Sequence, residues 1–314
     1  MNRLAGIIVA AIGLLAAVLN ILKVIPGATG SAWTFAGVMM ILLGGLIIGL
    51  SFINKPDPEG VERMSTPSTL LKIFFSPSEV FQNLRRHPRW LVAVIVMALL
   101  ASVYSALCMQ RLTPERIANY TIDKTLEMPM VAGNEQARQR VEEGRKDAIA
   151  DAKSPVSQAG RAVTSFASQI IWYTILAGIF LLFAMAMGGS MYFWQAFSAA
   201  VYAAFPVAVI RFILNTLLLY IKDPSDIHPI LGQGSLVQDN LSFLVKSADN
   251  PVIYTFLSSL SLIWFYWIFM NAIGLKNAGE KVSGSIAWTA VLVVWGVVVL
   301  LGMAAAWAFP SFIS

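Results

Sequence analysis

Long runs of apolar residues, separated by short polar segments, dominate the pattern of this chain. Seven runs are long enough to cross a bilayer, which takes about 20 residues. The runs are continuous and do not alternate with polar residues, so they predict helices and exclude strands. We place the predicted spans at residues 4–22, 32–54, 90–110, 166–188, 194–221, 252–275 and 285–309.

The composition supports an all-α polytopic membrane bundle. Only 12% of the 314 residues are charged, whereas soluble proteins carry about 25%. The first run lacks a cleavage site of small residues, so we expect it to be retained as a span. Cys108 is the only cysteine, which excludes an internal disulfide. The net charge of +5 includes no dense basic run, so we expect lipid headgroups and not nucleic acid as partners.

The distribution of basic residues predicts the orientation. Six of them lie between the second and third spans, whereas the loop before them holds only Lys23. Lys and Arg accumulate in cytoplasmic loops, so we expect a cytoplasmic N-terminus and an external C-terminus. The loop 111–165, which we predict to be helical and external, carries nine basic residues. Long loops are translocated despite such charge.

Residues 68–89 form an amphipathic entry elbow just before the third span. Ser76 and Glu79 have the spacing of a capping box, with Pro77 at the first helical position. Phe75 and Val80 occupy the positions of a hydrophobic staple. The pattern predicts a short helix lying on the cytoplasmic membrane surface.

Two interpretations of the elbow stay open. The simpler one is a device that anchors the chain and fixes its topology. The other is a docking surface for a soluble protein partner. The residues that we expect to contact such a partner are Phe75, Ser76, Pro77, Glu79, Phe81, Arg85 and Arg86.

The elbow and several later motifs resemble the Yip family, the Ypt/Rab-interacting membrane proteins and their bacterial relatives. The elbow has the form "tsPsevF..l...P.w" and enters a five-span bundle. The later motifs are the Gly188-Gly189 turn, Tyr202 and Pro206 in a Tyr-x-x-x-Pro span, Trp267 with Asn271–Leu275, and the small turn Val282–Gly284.

The resemblance covers residues 68–310 and implies an all-helical five-span domain with its N-terminal side in the cytoplasm. We therefore divide the chain into a two-span hairpin at 1–56, a cytoplasmic linker at 57–67 and a Yip-like domain at 68–314. Eukaryotic members carry a long polar N-terminal region linked to Rab binding, and here two extra spans replace it. The arrangement looks like a bacterial member, which implies the cytoplasmic (inner) membrane.

Small residues in the first two spans predict a close helix contact. Gly6 and Gly13 lie on one stripe, and Gly45 and Gly49 form a GxxxG step. Small residues let membrane helices approach closely. The simpler interpretation is packing within the N-terminal hairpin, and the alternative is a homo-oligomer formed through these four glycines.

Arg211 is the most informative single residue, because it lies inside the fifth span and ten residues from its outer end. A charge near the bilayer centre costs at least about 2.5–3.5 kcal/mol, so it should face protein or a water-filled cavity. Asn215 lies one turn further, and Asn271 and Gln195 are polar groups that it could contact. The alternatives are a structural polar contact, snorkelling to the outer surface, or a site for an anion or lipid headgroup.

No pattern of catalytic or metal-ligating residues occurs, so we expect no enzyme, metal or cofactor. The first functional hypothesis is a non-enzymatic Yip-type protein that organises membrane or binds partners through the elbow. The second is a transporter or channel-like protein with a polar cavity around Arg211.

Overall fold

The computed structural model describes residues 2–22, 31–53 and 60–310. No strand occurs among them, although an isolated bridge joins Asn240 to Ser261. The predicted all-α class is confirmed. In chain order the α-helices are α1 (Asn2–Ile21), α2 (Ser31–Leu50), α3 (Thr66–Lys72), α4 (Pro77–Arg86), α5 (Leu91–Leu112), α6 (Pro114–Leu126), α7 (Pro129–Ala132), α8 (Glu135–Glu143), α9 (Arg145–Lys153), α10 (Pro155–Ala186), α11 (Phe193–Ile221), α12 (Leu231–Gly234), α13 (Pro251–Ser259), α14 (Leu262–Ala278) and α15 (Gly284–Ala308). Short 3₁₀ helices occupy Pro224–Asp226 and Leu241–Leu244.

Four helices of the described chain are long and apolar enough to cross a membrane. They are Leu91–Leu112, Val156–Ala186, Phe193–Ile221 and Gly284–Ala308, which match the predicted third, fourth, fifth and seventh spans. Two apolar helical stretches in α1 and α2 are shorter, at Gly6–Ile21 and Thr34–Leu50. The seven-span count therefore stays a prediction. Residues 54–59, which include the first three residues of the predicted linker, and the last four residues lie outside the described chain.

The N-terminal hairpin is held by direct contact between the backbones of α1 and α2. A Cβ atom added at Gly13 would lie 2.6 Å from the carbonyl oxygen of Gly37, and one added at Gly44 would lie 2.5 Å from that of Gly6. Gly6 and Gly13 thus serve packing within the hairpin, which is the simpler of the two interpretations. Nothing lies within 4 Å of a Cβ added at Gly45 or Gly49, so the GxxxG step faces away from α1.

Helix α11 is the centre of the bundle. It packs against α5, α10 and α14, and each residue from Trp194 to Val207 is buried. Five of these residues are alanines, whose small side chains let the neighbouring helices approach closely. The helix therefore carries polar groups such as Gln195 and Arg211 into the interior of the bundle.

The predicted sixth span, 252–275, is not one continuous helix. Helix α13 ends at Ser259, and α14 begins only after Ser261, whose backbone is extended at φ −111° and ψ 143°. The carboxylate Oδ2 of Asp239 accepts hydrogen bonds from Ser261 Oγ and from the backbone N–H of Ile263, each at 2.7 Å. The segment before α13 thus reaches back into the bundle and caps the start of α14.

The region 111–165 is helical, as predicted. Helix α6 packs against α9, and ion pairs connect the outer helices. Arg145 Nη2 lies 2.7 Å from Asp123 and 2.9 Å from Glu142. Helix α10 begins at Pro155, well before the predicted start of the fourth span, because Ser154 caps it by accepting from the N–H of Ser157.

Candidate functional site

The apolar face of the elbow docks onto the bundle. Val80, Phe81 and Leu84 of α4 are completely buried, and α4 packs against α14 and α11. A Cβ atom added at Gly274 would lie 3.1 Å from Cε1 of Phe81, so the glycine leaves room for the ring. Phe81 is therefore a core residue in this conformation and does not contribute to an exposed surface.

The exposed apolar residues of the elbow lie in the last turn of α3 and just after it. Phe75 is 86% exposed and Leu71 is 65% exposed. The two residues of the predicted staple do not contact the same surface, because Val80 is fully buried while Phe75 is exposed. The staple prediction is therefore wrong, and Phe75 is free to enter the membrane interface.

The predicted capping box does not form either. Ser76 makes no side-chain capping bond, although Pro77 does occupy the first turn of α4. The Glu79 carboxylate instead lies 2.7 Å from Lys72 Nζ. The side-chain cap in this region is Ser65, which accepts from the N–H of Ser68 and starts α3. An ion pair thus replaces the reciprocal cap.

Two basic residues of the elbow, Arg85 and Arg86, converge on Glu280, which follows α14. Arg85 Nη2 forms an ion pair with Glu280, and Arg86 Nη1 lies 3.6 Å from the same carboxylate. Gln195 Nε2 donates to Glu280 Oε1 at 3.1 Å and to the carbonyl of Arg85 at 2.9 Å. One carboxylate therefore ties together the ends of α4, α11 and α14.

This cluster predicts a pH-dependent contribution to stability. The hydrogen bond from Arg85 holds the pKa of Glu280 below its ordinary value, against the opposing effect of burial. A depressed carboxyl pKa stabilises the fold above the unfolded-state pKa of about 4.3, and this is lost as pH falls through the folded-state pKa. We expect Glu280→Gln to melt at a lower temperature than wild type at pH 7, and the difference to shrink only as the pH falls below about 4.3 towards the lower folded-state pKa. Melting curves in lipid discs across this range check it; a difference that is constant with pH would contradict it.

Arg211 lines a cavity of about 340 Å³ that lies among six helices. Helices α5, α10, α11, α12, α14 and α15 all contribute to its wall. Most of the wall is aromatic or aliphatic, and Trp264 and Trp267 pack edge to face with centroids 5.5 Å apart. The aromatic residues of the wall are Tyr104, Trp172, Tyr173, Phe212, Trp264, Trp267 and Trp295.

Two hydrogen-bond donors at this cavity have no partner among the described residues. The Nε of Arg211 and the Nε1 of Trp295 are buried and make no hydrogen bond there. The ion pairs of the described chain do not include Arg211. Asp239 attracts Arg211 electrostatically, but its carboxylate is bonded to Ser261 and Ile263. The cavity is thus apolar with a cationic, donor-rich side.

The other polar residues expected near Arg211 have different partners. Asn215 Oδ1 accepts from the N–H of Leu236 at 2.8 Å and so holds the loop that follows α11. Asn271 is buried and donates to the carbonyl of Trp267 at 2.9 Å, and it does not line the cavity. Gln195 lies at Glu280, at the opposite end of α11. The structure therefore brings together Arg211 and Asn215, but leaves Asn271 apart.

Sequence reasoning missed the cavity's aromatic wall and Asp239. Trp264 and Trp267 lie three residues apart on one helical face, which was a signal for a shared wall. The role of Asp239 had no local signal, because its partners lie 22 and 24 residues further along the chain. No group of three metal-ligating side chains occurs within 2–22, 31–53 and 60–310.

Comparison with known proteins identifies the family. The model of the Yip1 domain matches residues 71–308, which agrees closely with the predicted range of 68–310. Neither a curated protein nor a solved structure matches the chain. The matched region includes most of the entry elbow, the central helix α11 and the cavity of Arg211. The chain belongs to the Yip1 family of membrane proteins.

Proposed function

We propose that this Yip1-family protein is non-enzymatic and binds an amphipathic anion in the Arg211 cavity. The observation that carries the proposal is the buried Nε of Arg211, which has no hydrogen-bond partner in the described chain and lies beside an aromatic cavity of about 340 Å³. Small-molecule pockets have volumes of roughly 300–1,000 Å³ and few, well-placed polar groups. An anionic headgroup supplies the partner for Arg211, and the aromatic wall holds an apolar tail.

The energetics favour a ligand over a purely structural role for Arg211. A charge within the membrane costs at least about 2.5–3.5 kcal/mol, and a structural arginine offsets this by forming hydrogen bonds. The buried Nε of Arg211 forms none with the described residues. Arg211 is therefore a source of instability that a bound anion relieves.

We propose that the chain crosses the bacterial cytoplasmic membrane seven times, with its N-terminus in the cytoplasm and its C-terminus outside. Helices α1 and α2 form two crossings, and α13 with α14 forms the sixth. The packing of α2 against α10 supports a hairpin that lies alongside the bundle. In this orientation Arg211 lies about 15 Å from the outer end of α11, given a rise of about 1.5 Å per residue, and therefore near the middle of the bilayer.

The broken crossing supports a protein that handles its ligand within the membrane. Interrupted helices are tolerated in the hydrocarbon region where they line a cavity, and transporters bind substrates beside such breaks. Ile263 and Trp264, at the start of α14, lie in the wall of the cavity. We propose lipid handling or transport as the role of the site.

Binding of a brominated fatty acid, 12-bromododecanoate, tests this proposal, because bromine quenches nearby tryptophans. We expect saturable quenching in the wild-type protein in lipid discs. Arg211→Leu should weaken binding at least about tenfold, since a hydrogen bond to a charged group contributes about 1.5–3 kcal/mol. Without the probe, Arg211→Leu should melt no lower than wild type, because it removes a buried donor that lacks a partner.

Trp288→Phe is the matched control for Trp295→Phe, because both lie on α15 and only Trp295 lines the cavity. Trp295→Phe replaces the indole by a smaller aromatic ring without the unpartnered N–H, so it should weaken binding while Trp288→Phe does not. Unchanged affinity in a folded Arg211→Leu protein would sink the proposal. A lower melting temperature for Arg211→Leu without probe would instead indicate a structural role. Uptake of the probe into proteoliposomes distinguishes a transporter, which increases the uptake, from a protein that only binds the probe.

A second function, membrane organisation or partner binding by the elbow, is favoured by one observation. Phe75 is 86% exposed, and Lys72 lies in the same segment, as expected for a segment at the headgroup boundary. The burial of Phe81 and the ion pairs of Arg85 and Arg86 leave a smaller exposed surface than the sequence predicted. If this second function is correct, activity requires Phe75 and tolerates replacement of Arg211, which is the opposite of what the ligand-binding proposal predicts.

A further inference from the structure

A second cavity lies between the N-terminal hairpin and the bundle. Its volume is about 500 Å³, and its apolar wall combines residues of α1 and α2 with residues of α5 and α10. Leu91 and Val92, at the start of α5, line it and are 50% and 43% exposed. We call this cavity the hairpin cleft. Because half-exposed apolar residues of a membrane helix border it, the cleft is open towards the hydrocarbon.

One end of the hairpin cleft is cationic. Arg63 and Arg89 both line it, together with Thr66 and Tyr202. Neither arginine belongs to an ion pair of the described chain. Arg89 donates to the neutral oxygens of Met64, Thr69 and Asn83, and its buried Nε has no aligned acceptor among the described residues.

The charge of Arg63 also acts on Arg89. Burial lowers the pKa of the Arg89 guanidinium, the nearby Tyr202 hydroxyl opposes this, and the charge of Arg63 lowers it further. Two cations thus face one cleft, and no described carboxylate pairs with either of them. An anion placed between them would relieve their repulsion, and a phosphate matches the fork geometry of arginine.

Hydrogen bonds hold the backbone on both sides of Arg63. Asn83 Nδ2 donates to the carbonyl of Glu62 at 2.9 Å, and the N–H of Met64 donates to Asn83 Oδ1 at 3.2 Å. His87 contacts the carbonyl of Val61 at 2.6 Å. The backbone at Arg63 is therefore held against the elbow before any ligand binds, which lowers the entropic cost of binding.

We propose that the hairpin cleft is a binding site for an anionic phospholipid, with its phosphate on Arg63 and Arg89 and an acyl chain between α2 and the bundle. Trp90, which lines the cleft where α5 begins, marks the headgroup level in this arrangement. Basic pockets between membrane helices on the cytoplasmic side are typical headgroup sites. A free phosphate shares the headgroup chemistry but makes no use of the apolar wall.

Native mass spectrometry of the full-length protein, released from discs of phosphatidylglycerol and phosphatidylethanolamine, tests the proposal. We expect the wild type to retain phosphatidylglycerol selectively. Arg63→Gln should weaken retention about tenfold, the effect of losing one charge-assisted hydrogen bond. Lys281→Gln is the matched control, because Lys281 is exposed and lies outside the cleft. Equal retention by Arg63→Gln and wild type overturns the proposal.

Two further arms distinguish a lipid from a free phosphate. Ile47→Trp fills the apolar part of the cleft, so it should reduce retention of phosphatidylglycerol. Glycerol 3-phosphate added as a soluble competitor should displace the lipid only at far higher concentration. The lipid proposal would be overturned if glycerol 3-phosphate displaced phosphatidylglycerol at an equal concentration and Ile47→Trp had no effect on retention. The two arginines would then be a site for a soluble phosphate.

Discussion

Replacing Gly44 by leucine should separate the two helices of the N-terminal hairpin. A Cβ at Gly44 would lie 2.5 Å from both the backbone nitrogen of Ala10 and the carbonyl oxygen of Gly6. Backbone atoms cannot move aside as a flexible side chain can, so the helices must part along their contact. We expect a loss near the upper end of the overpacking range, about 3 kcal/mol, seen as a lower melting temperature in lipid discs.

The neighbouring residue provides the control for this variant. Gly45→Leu adds the same side chain one position further, where nothing lies within 4 Å of the added Cβ. It should therefore melt like wild type. If Gly44→Leu also melts like wild type, the close backbone packing is wrong. A smaller oligomer for Gly45→Leu alone would support the proposed homo-oligomer, which would then use Gly45 and Gly49 on the outer face of α2.

Replacing Phe81 by alanine should be the most damaging change in the elbow. The ring is completely buried against α14, next to Gly274. Removing a buried phenylalanine costs about 3–5 kcal/mol, because the lost contacts leave a cavity. The measurement is again the melting temperature of the full-length protein in lipid discs.

Phe75→Ala is the matched control, since it removes the same side chain from the exposed part of the same elbow. It should leave the melting temperature nearly unchanged. A comparable loss for both variants would mean that the elbow is not docked as described. Normal stability of Phe81→Ala would mean the same and would return Phe81 to the exposed docking surface that the sequence predicted.

The helices and the family could be predicted from the sequence because their signals are local. An uninterrupted apolar run dictates a helix, and the motifs of the Yip1 domain occur in the expected order along 71–308. The half-buried position of Arg211 also followed from its place in an apolar run. The surroundings of Arg211 could not be predicted, because the cavity wall comes from six helices that the chain order does not place side by side.

The failed predictions share a physical cause, which is competition from distant or unexpected partners. The motif at Ser76 and Glu79 satisfies the rule for a capping box, but Lys72 offers the carboxylate an ion pair instead. Arg85 and Arg86 suggested a free basic surface, but both form ion pairs with Glu280. Glu280 lies 195 residues after Arg85 in the chain. A single sequence carries no signal for a contact at such a separation.

The same separation constrains how the protein is made. Domains form from the N-terminus during synthesis, so α4 leaves the ribosome long before α14, onto which Phe81 docks. In that interval Val80, Phe81 and Leu84 have no protein surface to cover them, and the membrane interface is the apolar environment at hand. The elbow therefore has two roles in succession. It first binds the membrane interface through its apolar face, and it docks onto the bundle once α14 and Glu280 have been synthesised.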